Sequence, residues 1–315
     1  MKLLRLVPDN TKIRFMRFRT FSFPAALIIA AISLFLFSYV GLNYGIDFKG
    51  GTIIEMKTQG PADVGAIRAQ LGALDVGAVQ VQQFGQPDEV LVRIEQQDGG
   101  EQSQQAAVNQ IRQMFEQTAE IRRVEIVGPS VSGELAAAAS IAILVALVGI
   151  MIYVWIRFEW QFAVGAILTT VNDVLVTVGL FVILQLDFSL SSIAAVLTII
   201  GYSLNDTVVV YDRIRENLRK YKKMALPDLL DLSINETLTR TTMTSVTTLL
   251  ALVALYAFGG EVIQSFTLAM IFGILIGTYS SIFLAAPFLI LFGLRQGGSD
   301  KDGEKAARTD AAPAA

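Results

Sequence analysis

The chain has 315 residues, 53% of them hydrophobic and only 17% charged, with a formal net charge of −3. A mean hydropathy of +0.54 is too high for a soluble α/β domain and indicates a polytopic membrane protein. Cysteine and histidine are both absent, which excludes disulfides, thiol catalysis and Cys-based metal sites, and confines any proton relay to carboxylates, hydroxyls and water.

The first 22 residues carry Lys2, Arg5, Lys12, Arg14, Arg17 and Arg19, and Pro24 opens an apolar run that makes 23–42 the first span. Some 18 apolar positions exceed the apolar core of a signal peptide, and no small-residue cleavage site follows. An uncleaved anchor helix is expected, with residues 1–22 in the cytoplasm.

Residues 43–132 form a soluble insert. Thr52–Thr58, 78–84, Val90–Ile94 and Ile121–Val127 show strand composition or alternation. Ala62–Leu71 has helical spacing through Val64, Ile67 and Leu71, and Gln102–Gln117 through Val108, Ile111 and Phe115. The order β-α-β-β-α-β predicts a ferredoxin-like α+β sandwich with both helices on one face of an antiparallel sheet. With 7 Lys and Arg against 12 Asp and Glu, the insert is acidic and unsuited to nucleic acid. At its start, Gly50 and Gly51 predict a tight exit from the membrane through backbone of positive φ.

Five more apolar runs follow, at 135–156, 162–184, 191–212, 241–258 and 264–292. The connection 213–240 is basic, with Arg213, Arg215, Arg219, Lys220, Lys222 and Lys223 in its first half, whereas 185–190 and 259–263 hold no Lys or Arg. The positive-inside rule then places both termini in the cytoplasm and the 43–132 domain in the periplasm. The basic segment is also expected to contact anionic lipid. The tail 293–315 is polar, Ala-rich and expected to be disordered. HExxH, Walker A and nucleophile-elbow motifs are absent, so neither an enzyme nor a bound cofactor is expected.

The fourth span holds the charge that matters most. A helix from Ile193 to Asp212 crosses about 30 Å, one hydrocarbon core, and Asp206 lies within it beside Asn205. A carboxylate there costs several kcal/mol unless it is protonated or paired, and such residues mark ion or proton paths. Arg240 opens the fifth span, with Thr244 one turn further on the same face and Thr247 and Thr248 beyond. Asp206 and Arg240 are therefore expected to form a titratable pair, with a static ion pair between two helices as the bland alternative. The hydroxyls of Thr241, Thr244, Ser245, Thr247 and Thr248 could line water or simply bond helix carbonyls. Asp173, in the third span beside Asn172, is a secondary candidate for proton transfer or helix–helix hydrogen bonding. Gly273, Gly277 and Ser281 make a small-residue packing stripe in the sixth span, against this chain or a partner.

Four segments support a family resemblance: Gly-Ile-Asp-Phe-Lys-Gly-Gly at 45–51, Gly-Pro-Ser-Val-Ser-Gly-Glu-Leu at 128–135, Gly-Tyr-Ser-Leu-Asn-Asp-Thr-Val-Val-Val-Tyr-Asp-Arg-Ile-Arg-Glu-Asn at 201–217, and Arg-Thr-Thr-Met-Thr-Ser-Val-Thr-Thr-Leu at 240–249. In this order and topology they resemble the SecF family, the smaller subunits of the SecD–SecF accessory complex of bacterial protein export, within the RND superfamily. The resemblance covers about residues 15–294. It implies a six-span RND-type half in the bacterial inner membrane that pairs with SecD and associates with SecYEG, YajC and YidC. It also implies use of the proton motive force to complete preprotein translocation. Asp206, Arg240 and Thr244 fall on the family's proton-coupling positions, with Asn205, Asp173 and Thr247 as secondary sites. One departure stands out: family members often carry His-Asp-Val in the third span, and this chain has Val-Asn-Asp-Val at 171–174. Asn172 carries no proton at neutral pH, and carboxylate and hydroxyl oxygens suit Na⁺ as well as H⁺. Two other functions stay open: half of a proton/small-molecule antiporter, and a non-energised scaffold of the export channel.

Overall fold

The structure is a computed structural model that describes residues 8, 11–74, 76–77, 79–97, 99–260 and 263–294. Lys2, Arg5, Arg295 and the tail beyond Leu294 lie outside the described residues. Among the described residues, six helical segments are long and apolar enough to cross a membrane.

The first span is α1 (Arg19–Tyr39), entered through a short 3₁₀ turn at Phe15–Phe18. Two small elements follow, strand β1 (Asn43–Tyr44) and the single turn α2 (Ile46–Lys49). The soluble domain then runs β2 (Gly51–Thr58), α3 (Val64–Gly72), β3 (Val79–Gln83), β4 (Glu89–Ile94), α4 (Glu101–Phe115) and β5 (Ala119–Val127). Its sheet order is β3-β4-β2-β5, antiparallel throughout, which is the ferredoxin-like arrangement expected from the sequence. The alternation sets its core: Ile54 and Met56 from β2 and Val90, Val92 and Ile94 from β4 meet Ile67, Leu71, Val108, Ile111 and Phe115 from the two helices. The exit glycines behave as their position predicts. Gly51 has φ +121°, and a Cβ there would lie 2.5 Å from the carbonyl oxygen of Ile94.

The remaining spans are α5 (Pro129–Arg157), α6 (Trp160–Leu184), α7 (Leu190–Lys220), α8 (Leu226–Phe258), and α9 (Gln264–Phe283) continued by α10 (Ala285–Leu291). The break between α9 and α10 has a cause in the sequence. Pro287 offers no N–H to the carbonyl of Phe283, and that carbonyl accepts instead from Ser22 Oγ at 3.5 Å.

Segment 213–240, expected as a connecting loop, is helical except at 221–225. The charged residues that end the apolar windows extend the helices instead of breaking them. Arg213 bridges Glu216 one turn away at 2.6 Å and Glu236 on α8 at 2.7 Å. Asn217 donates to Ser233 at 3.0 Å and to Glu236 at 2.7 Å. Hydropathy marks where the membrane ends; these pairs carry the two helices further.

The small-residue stripe of α9 packs within the chain. A Cβ on Gly273 would lie 2.3 Å from Ile199 on α7, and one on Gly277 3.0 Å from Ser203. Helices α7 and α9 thereby approach closely and bury over half of their apolar windows, whereas α5 buries only 6% of its own.

The domain is fastened to the bundle at the connection between α6 and α7. Strand β6 (Asp187–Phe188) pairs in parallel with β1. Arg93 of β4 meets Asp187 at 2.7 Å, and Asp47 accepts the Leu190 N–H at the start of α7 at 2.9 Å.

Candidate functional site in the membrane core

Two carboxylates are buried in the spans, and their surroundings differ. Asp173 on α6 is 1% exposed. Its Oδ2 accepts from Ser203 Oγ of α7 at 2.5 Å and from Ser280 Oγ of α9 at 2.7 Å. Asn172 Nδ2 donates to its Oδ1 at 3.4 Å. One carboxylate therefore ties three helices together, at the level where the small residues of α9 let α7 come close. Thr207 of α7 and Ser281 of α9 extend this seam at 3.2 Å, and Ser245 of α8 joins Thr278 of α9 at 2.7 Å.

Asp206 on α7 is 2% exposed, and its Oδ2 is buried with no hydrogen-bond partner. Arg240 is its electrostatic partner, but no hydrogen bond or ion pair joins them. The close pair expected from the sequence is thus a longer-range charge interaction: the Arg240 side chain lies on an exposed part of α8. Two more polar atoms on neighbouring helices, Asn172 Oδ1 and Thr241 Oγ1, are likewise buried without a partner. Each such group costs about 1–3 kcal/mol if it stays unmatched, so their persistence calls for an explanation in water, an ion or motion.

The structure separates the other candidates. Thr244 is half-buried and bonds the carbonyls of Arg240 at 3.2 Å and Thr241 at 2.9 Å on its own helix. Thr247 is exposed and bonds the carbonyls of Met243 and Thr244. Asn205 also points away from the core. Asn205 and Arg240 therefore present polar groups on the outer surface of spans, where lipid gives them nothing to bond, whereas the exposed Thr247 hydroxyl is satisfied by its own helix. Ser203 and Ser280 escaped the sequence reading. Ser203 sits one turn before Asp206, and Ser280 borders the stripe read only as packing. A serine in a close-packed stripe, opposite a span that carries an Asp, was the signal available.

Six spans with two buried carboxylates among hydroxyls, and one folded domain outside them, define a multi-pass membrane subunit built like one half of a transporter. A family model described as "Protein export membrane protein SecD/SecF, C-terminal" matches residues 107–295, and one for the "SecD/SecF GG Motif" matches residues 40–62. The chain belongs to the SecD/SecF protein-export family. It is similar to the protein translocase subunit SecF of Rhodobacter capsulatus, at 46% identity over 314 residues, covering 95% of this chain and 94% of that one. It is also similar to the protein translocase subunit SecDF of Brucella abortus, at 47% identity over 298 residues, covering 94% of this chain but only 39% of the longer relative. The crystal structure of SecDF, a translocon-associated membrane protein from Thermus thermophilus, superposes with a TM-score of 0.83 at 35% identity, covering 92% of this chain and 40% of that one.

Proposed function

We propose that the chain is the SecF half of a SecD–SecF complex and uses the proton motive force to complete preprotein translocation across the bacterial inner membrane. The observation that carries this reading is Asp206: a carboxylate inside a span, buried, without a hydrogen-bonding partner, and facing the charge of Arg240 at a distance. A carboxyl so placed is free to change partners when it gains or loses a proton, and a proton crossing the membrane field gains about 2.3 kcal/mol per 100 mV. Protonation of Asp206 would weaken its attraction to Arg240 and let α7 and α8 shift. The soluble domain would follow, because it is fastened where α7 begins. Thr244 would set the backbone of α8 beside Arg240, while Asn205 and Arg240 would face SecD, whose spans would supply what lipid does not, with the self-satisfied Thr247 beside them on that face. Asp173 would be the fixed point of the seam.

In this reading both termini are cytoplasmic and the domain is periplasmic, consistent with the basic residues on the α7–α8 hairpin. SecYEG, YajC and YidC are the proposed neighbours and the preprotein the cargo. The coupling ion is the proton, and no further cofactor is required. Late-stage preprotein translocation into inverted membrane vesicles is the test. A proton gradient should stimulate the native complex and leave Asp206→Asn unstimulated. Equal stimulation of both would sink the coupling role and leave a structural pair.

A further inference from the structure

The basic end of the bundle holds a pocket of about 490 Å³ between the α5–α6 turn and the last turns of α7, lined by Arg157, Asp212, Arg215, Glu216, Arg219 and Lys220. Both acidic members are already committed. Asp212 pairs with Arg157 at 3.1 Å, and Glu216 with Arg213 at 2.6 Å. Arg215 is held in place by a 3.5 Å bond from Nη1 to the Arg157 carbonyl, yet its Nε is buried with no partner. Arg219 and Lys220 make no ion pair among the described residues; Lys220 overlies the ring of Tyr221 at 5.0 Å and feels Glu236 of α8 only at longer range. Three cations therefore converge on one pocket without a close ion pair to any carboxylate among the described residues.

The surroundings fix the depth. The only two tryptophans of the chain are Trp155 and Trp160, both exposed, on either side of the α5–α6 turn that walls the pocket. Tryptophan settles at the headgroup layer. From the same turn, α5 runs into the membrane with Val145, Ile152 and Ile156 exposed, an apolar track on which acyl chains can lie.

We propose that this pocket binds the phosphate of an anionic phospholipid, with Arg215, Arg219 and Lys220 as its ligands and the outer face of α5 as the track for its acyl chains. Arg215 supplies a half-buried guanidinium with an unpartnered Nε, and Arg219 and Lys220 supply the charge that selects an anionic headgroup over a zwitterionic one. The site ties one lipid to the junction of α5, α6 and α7, and its existence does not depend on the transport reading.

The tryptophans report on it directly. The full-length chain is reconstituted in phosphatidylcholine vesicles containing a small fraction of brominated phosphatidylglycerol or brominated phosphatidylcholine, and tryptophan quenching is measured. Brominated phosphatidylglycerol should quench at least about 10-fold more effectively at equal mole fraction. Arg215→Gln/Arg219→Gln/Lys220→Gln should abolish that preference, and Lys220→Gln alone should reduce it. Lys222→Gln/Lys223→Gln, which neutralises two nearby cations outside the pocket, should leave it intact. Equal quenching by both lipids would overturn the proposal, as would a preference that the triple variant retains or one that the Lys222/Lys223 variant loses to the same degree. Displacement of the brominated lipid by inorganic phosphate would reassign the pocket to free phosphate and overturn the lipid assignment.

Discussion

Asp173 and Asp206 are both carboxylates buried in spans, and the chain treats them in opposite ways. Asp173 sits in the α6–α7–α9 seam, where two serines donate to one of its oxygens and an asparagine to the other. Asp206 sits one turn past Ser203 on the same helix, with Arg240 of α8 as its longer-range electrostatic partner, and the chain gives its buried oxygen no donor. The difference comes from the neighbouring helix. Helix α9 contributes Gly273, Gly277, Ser280 and Ser281, small residues that close the gap and bring hydroxyls into reach. Helix α8 contributes Arg240 and threonines that bond their own backbone. A charge that stabilises the bundle must be satisfied in every state; a charge that works must be able to lose and regain its partner. In this structure Asp173 has the bonds the first requirement asks for, and under the proposed function Asp206 is the charge of the second kind.

If that contrast is right, the largest effect is functional and confined to one side of α7. Arg240→Met should abolish gradient-stimulated translocation as Asp206→Asn does, and neither should lower the thermal midpoint in detergent by more than about 2 °C, since no direct bond is lost. A large fall in midpoint would make Asp206 a structural residue like Asp173. Next comes the seam itself. Gly273→Leu drives a side chain into Ile199, which an added Cβ alone would approach to 2.3 Å. It should cost about 3 kcal/mol through forced separation of α7 and α9, seen as loss of folded protein in detergent. Ser203→Ala with Ser280→Ala removes both donors to Asp173 Oδ2. At about 0.6–1.7 kcal/mol for each hydrogen bond between spans, the pair should lower the midpoint measurably and leave residual gradient stimulation in the folded fraction. Smaller again is Arg93→Gln, which breaks the bridge to Asp187 that holds the domain to the bundle. For a partly exposed pair, about 1 kcal/mol or less is expected. Its sharper readout is faster proteolysis or hydrogen exchange in 43–51, while exchange in the sheet core stays unchanged.

Much of this was legible in the sequence, and the gaps have physical reasons. The sandwich could be read because strand alternation and helix spacing report directly on burial: Ile67, Leu71, Val108, Ile111 and Phe115 all face the core as their periods require. Gly51 could be read because only a residue without a Cβ fits under the Ile94 carbonyl. The ends of α7 and α8 could not, because hydropathy measures the lipid boundary, and the Arg213–Glu216 and Arg213–Glu236 bridges that prolong the helices join residues that look like a charged loop. Asp206 was visible as a charge in an apolar run. Its separation from Arg240 was not, since spacing along two helices gives no register between them. For the same reason Ser203 and Ser280 went unnoticed, and Asp173 was ranked below a residue to which the chain gives fewer bonds.

The smallest effect bears on the threonines of α8, where sequence and structure part most instructively. Six hydroxyls within the eight residues 241–248 invite a water-lined path, yet Thr244, Thr247 and Thr248 each bond a carbonyl one turn back on their own helix. A bond of this kind satisfies the hydroxyl locally and stabilises little, because the carbonyl already serves the helix. Thr247 is also exposed, so Thr247→Val removes a satisfied hydroxyl from an outer face and should shift stability by no more than about 0.5 kcal/mol. Thr241 differs: its hydroxyl is buried without a bond, on the residue that follows Arg240. If Thr241→Val slows gradient-stimulated translocation while Thr247→Val does not, the working hydroxyl of α8 is the one the helix leaves unsatisfied. Equal slowing by both would return the threonines to a shared path and weaken the division between the satisfied and unsatisfied sides of α7.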